Sequence, residues 1–115
     1  MEKQIIQVFN IVGSPYCVEA EDGEKLFQIL RNALSARQPI EISFLNVEIL
    51  TTAFLNTAVG QLYRDFSNSD IKKYLTVTSL SATGAVALRR VVETAKLYYK
   101  DPEAMERSIN EILGE

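Results

Sequence analysis

The sequence predicts an α/β fold: a small, mixed or mostly parallel sheet of three to five strands with helices packed on it. Three observations carry that prediction. Segments of strand and helical character alternate in the order strand, helix, strand, helix, strand, helix, helix. Such alternation places a largely parallel sheet beneath covering helices. The chain has 115 residues, the size of one domain, so residues 1–115 are expected to form a single unit. Hydrophobic residues make up 47% and charged residues 23%, the balance of a globular chain with a modest core.

The elements follow in order. Ile5, Ile6, Val8, Phe9, Ile11 and Val12 form an apolar, β-branched segment closed by Gly13-Ser14-Pro15. Its length and its Gly/Pro stop predict a strand, placed at an edge where it can pair antiparallel. Glu19, Glu21, Asp22 and Glu24 lead the next element, where acids suit the positive end of a helix dipole. Leu26, Phe27, Ile29, Leu30, Ala33 and Leu34 make one apolar helical face. That helix stops before Gln38-Pro39, because a residue preceding proline avoids helical backbone. Ile40-Glu41-Ile42-Ser43-Phe44 alternates with period two, a second strand.

A loop follows through Leu45–Leu50. Phe54, Leu55, Ala58, Val59, Leu62, Tyr63 and Phe66 then mark a helical stripe, with Thr51 or Thr52 as its N-cap. Ser67-Asn68-Ser69-Asp70 is a break of turn and cap residues. Ile71–Tyr74 makes one short helical turn, and Leu75–Ser79 a third strand. Leu80–Gly84 is a polar loop. From Val86 to Tyr99 apolar residues recur at helical spacing. Pro102 opens a last helix with Met105, Ile109, Ile112 and Leu113 on its apolar side. That side packs back on the chain or docks on another one.

Bulk composition removes several function classes. The formal charge is −3, from 12 basic and 15 acidic residues, without the basic surplus of a nucleic-acid binder. One Cys and no His exclude a structural zinc site, an intrachain disulfide and histidine-dependent catalysis. The lone thiol fits a reducing compartment. No apolar run approaches the ~20 residues of a membrane span, and no signal peptide follows Met1. A cytoplasmic protein without metal, cofactor or membrane association is expected.

The passage from the second strand into its helix is the sharpest feature. Hydroxyl residues stand where a helix begins, and there unpaired backbone N–H groups and the dipole favour negative charge. A phosphoryl group on Thr51 or Thr52 would be stabilised locally and would change the surface charge by about −1.5 to −2. The plainer reading is that one threonine only caps the helix. In the first loop, Ser14, Tyr16 and Cys17 offer a hydroxyl, a phenol and a thiol. A reactive Cys17 needs a lowered pKa, and Glu19, Glu21 and Asp22 oppose a thiolate; a small buried hydrophobe is the alternative.

Phe44-Leu45-Asn46-Val47-Glu48, followed by Thr52-Ala53-Phe54-Leu55-Asn56 and Gly60-Gln61-Leu62-Tyr63, resembles the central motif of the STAS-like proteins. These are a branch of the superfamily that includes the bacterial anti-sigma factor antagonists. Gly13-Ser14-Pro15-Tyr16-Cys17-Val18 with Glu21-Asp22-Gly23 resembles their first loop, and Arg90–Lys96 their last segment. The resemblance implies a domain that binds a partner rather than one that turns over substrate. In the antagonists a kinase-like ATPase docks around the helix after the second strand and phosphorylates a serine there. By that alignment Asn46-Val47 falls on a Gly-Val turn, Thr51 on an Asp and Thr52 on a first Ser. Ala53 falls on the phosphoacceptor Ser and Phe54 on a Gly. The acceptor is missing in this register, and a shift of one residue places Thr52 there.

The expected function is therefore a non-catalytic interaction or regulatory module. It docks on a protein partner, of the kinase-like ATP-binding class by resemblance, through Thr51, Thr52, Phe54 and Asn56. The alternative is a small enzyme or nucleotide-binding protein using the Gly13–Cys17 loop. A homodimer through an edge strand or the last helix is the third expectation.

Overall fold

The structure, a computed structural model, describes residues 2–100. The expected last helix, Pro102 to Leu113, lies outside the described residues. Three strands, β1 (Gln4–Gln7), β3 (Ile40–Ser43) and β5 (Leu75–Thr78), form a parallel sheet in the order β1-β3-β5. Gln4, Ile5, Ile6 and Gln7 pair with Ile40, Glu41, Ile42 and Ser43, which pair in turn with Leu75, Thr76, Val77 and Thr78. A parallel register keeps each row on one face. Ile6 and Ile42 are buried and Val77 packs on them, whereas the row Ile5, Glu41 and Thr76 faces away from the core. There Glu41 accepts a 3.1 Å hydrogen bond from Thr78 Oγ1 and lies 4.0 Å from Lys3 Nζ.

The remaining elements are α1 (Val8–Val12), β2 (Tyr16–Cys17), α2 (Ala20–Ser35), β4 (Ile49–Leu50), α3 (Thr52–Leu55), α4 (Leu62–Asp65), α5 (Asn68–Tyr74) and α6 (Ala82–Lys100). Strands β2 and β4 form a separate two-stranded parallel ribbon. A π-helical turn, Asn56–Gly60, joins α3 to α4. Gln61 N–H donates to Asn56 O, five residues back, at 3.2 Å. The turn, packed between α2 and α6, buries Ala58, Val59 and Gly60 in succession. α2 supplies Leu26, Phe27, Leu30, Ala33 and Leu34 to the core and packs against this turn, which also carries α6.

Four expectations are corrected. The first apolar segment is strand only to Gln7. Its partner β3 ends at Ser43, opposite Gln7, so the chain beyond has no ladder to join. Val8–Val12 instead turns helical: Val8 is buried and Ile11 and Val12 pack on the core, which overrides β-branched propensity. Gly13 ends this helix at φ 78°, donating to Phe9 O at 2.8 Å. Second, β1 lies at an edge, as expected, but pairs parallel. Third, the helical stripe after Thr51 contains the π turn and ends at Asp65, because Phe66 is extended (φ −128°, ψ 147°). Fourth, α6 begins inside the expected Leu80–Gly84 loop, where Ser81 Oγ accepts from Gly84 N–H at 3.0 Å.

Candidate functional site

The site is built where the β2–β4 ribbon feeds α3. Phe44 follows the end of β3, and Asn46 then adopts left-handed backbone, φ 69°. Asparagine tolerates that conformation better than most residues. The turn closes with Val47 N–H donating to Phe44 O at 3.1 Å. Glu48 and Ile49 N–H both donate to Pro15 O, at 2.8 and 3.2 Å, and Thr51 N–H donates to Cys17 O at 3.1 Å. These bonds zip the first loop to the approach of α3, although the two segments lie more than 30 residues apart.

The ribbon has an inner and an outer face. Cys17 is fully buried and its register partner Leu50 packs on the core. Tyr16 and its partner Ile49 point the other way and are 51% and 49% exposed. Val18, two residues after Tyr16, is exposed as well. Thr51 joins this face to the helix: its Oγ1 donates to Val18 O at 2.9 Å and accepts from Phe54 N–H at 3.2 Å. Thr51 is thus the N-cap of α3, one of the two candidates the sequence offered. Thr52 and Ala53, the first residues of α3, are exposed.

The expected site residues separate accordingly. Thr51 and Thr52 meet at the helix start, but the hydroxyl of Thr51 is already engaged both as donor and as acceptor. Phe54 is fully buried in the core, which corrects its place in the docking set. α3 packs against α2 and α6, and the Phe54 ring joins the buried core cluster. Asn56 is exposed but stands a turn further on, beside Gly60, Thr94, Ala95 and Tyr98 of the α6 side. In the first loop, Ser14 Oγ accepts from Tyr16 N–H at 3.1 Å, a local turn cap. The Cys17 thiol is pushed up to about 11 by burial and, secondarily, by the Asp22 carboxylate. It is inaccessible and protonated at neutral pH, so this loop supplies no thiolate nucleophile. Val18 and Ile49 were not named as site residues in the sequence, since strands of two residues carry no readable alternation.

Comparison with protein families decides the larger question. The family model of a STAS-like domain of unknown function matches residues 22–85, more than half of the chain. The chain belongs to this STAS-like family. Comparisons with curated proteins and with solved structures returned no match. The parallel α/β architecture agrees with a STAS-like fold, and the matched span runs from α2 to the first turn of α6. It contains Asn46, whose positive φ is a backbone conformation that asparagine adopts more readily than most residues. No helix among the described residues of this STAS-like chain is long and apolar enough to cross a membrane.

Proposed function

We propose that this STAS-like domain is a non-catalytic interaction module that docks a protein partner through the outer face of the β2–β4 ribbon and the start of α3. One observation carries the reading: Tyr16 and Ile49, paired in register, expose half their surface beside the exposed residues Thr52 and Ala53. Aromatic and aliphatic side chains held on hydrogen-bonded backbone are the kind of anchor that interface cores use. Thr51 fastens that backbone to the helix, so the face is preorganised, which lowers the entropy lost on binding.

The partner class is a kinase-like ATP-binding protein, on the strength of the resemblance to the antagonists. Within this reading Thr52 is the residue available to a kinase, because it is exposed whereas Thr51 holds the cap. Its phosphate would stand on the apolar face and oppose docking by desolvation.

Tagged chain purified from its native host should bring down a protein partner that the Ile49→Asp variant does not. Ile49 is half-exposed, so that variant should keep the far-ultraviolet circular dichroism spectrum of the wild type. Repeated recovery of the wild-type chain alone, or equal recovery of the partner by Ile49→Asp, rules the reading out.

A further inference from the structure

Between the end of α4, the start of α5 and the last turns of α6 lies an open cavity of about 380 Å³. Tyr63, Phe66, Ser67, Asn68, Lys96 and Tyr99 line it. Two chain features create it. Phe66 leaves helical backbone and turns the chain outward, and Ser67 Oγ then caps α5 by accepting from Asp70 N–H at 3.1 Å. The gap between the two helices is walled by three half-buried aromatic rings and filled by none of them. Its volume falls in the range of about 300–1,000 Å³ typical of small-molecule sites, which pair apolar walls with a few convergent polar groups.

The polar groups define the ligand. Lys96 is half-buried and forms no ion pair among the described residues. The neighbouring cation Arg64 is engaged with Asp65 at 3.1 Å. Burial holds the Tyr63 hydroxyl above its ordinary range, so it stays a protonated donor at neutral pH. One ammonium matches one negative charge, whereas a phosphate monoester brings about −1.5 to −2. Three rings favour a planar aromatic body by stacking or edge-to-face contact.

We propose that this cavity binds a small aromatic carboxylate, its ring held among Tyr63, Phe66 and Tyr99 and its carboxylate on Lys96. Ser67 and Asn68 at the rim offer a hydroxyl and an amide to a polar ring substituent. None of these six residues belongs to the ribbon face, so the site stands apart from the docking reading.

The test is a titration of the ¹⁵N-labelled 115-residue chain with 4-hydroxybenzoate, with 4-hydroxybenzamide and acetate run alongside. The carboxylate should shift amide resonances clustered at residues 63–68 and 94–99. The neutral amide should bind at least about tenfold more weakly, since it loses a charge-assisted hydrogen bond that contributes more than that factor. Acetate should bind at least as weakly as the amide, because it keeps the charge but lacks the ring that the three aromatic residues hold. Lys96→Met should weaken the carboxylate by a similar factor and Lys96→Arg should restore most of it. Absence of shifts up to about 10 mM, where binding would be weaker than any specific site needs, overturns the proposal. So do equal affinity for the amide and the acid, shifts centred elsewhere, or an unchanged affinity in Lys96→Met. The comparison of the three ligands on the wild-type chain stands even if a variant folds poorly.

Discussion

Gly23 of α2 faces the main-chain carbonyl oxygen of Phe54 so closely that a Cβ placed on it would stand 2.6 Å away. The same Cβ would meet Thr57 Cβ at 3.1 Å. Backbone cannot retreat as a flexible side chain can, so α2 must shift to accept any larger residue. This contact seats α2 over the start of the α3 segment, and with it the exposed end that the docking reading uses.

Gly23→Ala should therefore destabilise the fold by about 1–3 kcal/mol, the range of overpacking, despite alanine's better helix propensity. Gly60 is the control. A Cβ there would meet Val91 Cγ1 at 3.5 Å, an ordinary contact. Gly60→Ala should be neutral or stabilise by up to about 1 kcal/mol through the unfolded chain's lost freedom. Urea unfolding of both variants separates the cases; equal midpoints would mean that the α2–α3 approach is not tight.

The two threonines should part company in the same measurement. Thr51→Ala removes the cap on Phe54 N–H and the bond to Val18 O. A loss of about 1–2 kcal/mol is expected, the upper part of the N-cap range. Thr52→Ala touches an exposed position, and its effect should stay within about 0.5 kcal/mol.

Much of this arrangement was legible in the sequence, and the parts that were not share a cause. Long elements with a full period declared themselves: α2 through Leu26, Phe27, Leu30 and Leu34, β3 through Ile40 and Ile42, and α6 through Val91 and Ala95. The cap at Thr51 was legible because hydroxyl chemistry at a helix start is local. Val8–Val12 was misread because its β-branched residues favour a strand until the partner strand runs out, which is tertiary information. The ribbon was missed because two-residue strands have no period, and its outer face, Tyr16 with Ile49, exists only by pairing. Phe54 belongs to the apolar stripe of its helix and was also assigned to the docking set, and only its burial in the fold decides between the two places.

That double assignment gives a contrast between two charge insertions. Phe54→Asp puts a carboxylate into the core and removes a ring whose deletion alone is worth about 3–5 kcal/mol. Loss of cooperative thermal unfolding is expected. Ile49→Asp changes a half-exposed position and should leave the melting transition cooperative, within a few degrees of the wild type. A folded Phe54→Asp chain would show that α3 can swing away from α2.

Cys17 supplies the pH-dependent prediction. Its folded thiol is raised from 9.0 to about 11, first by burial and then by Asp22. A raised pKa means that the folded state holds the proton more tightly than the unfolded state. The resulting stabilisation is fully present below pH 9 and is lost as the pH rises from about 9 to about 11. Other groups titrate in that window, so the informative quantity is the difference between wild type and Cys17→Ala. That difference in urea stability should be constant from pH 6 to pH 8 and should shrink between pH 9 and pH 11. Iodoacetamide gives the kinetic counterpart: at neutral pH the native thiol should react at least about tenfold more slowly than in urea-unfolded chain, since the thiolate is the nucleophile and here it is scarce and covered. A native rate equal to the unfolded one would show that the ribbon opens readily and that Cys17 is not part of a closed core.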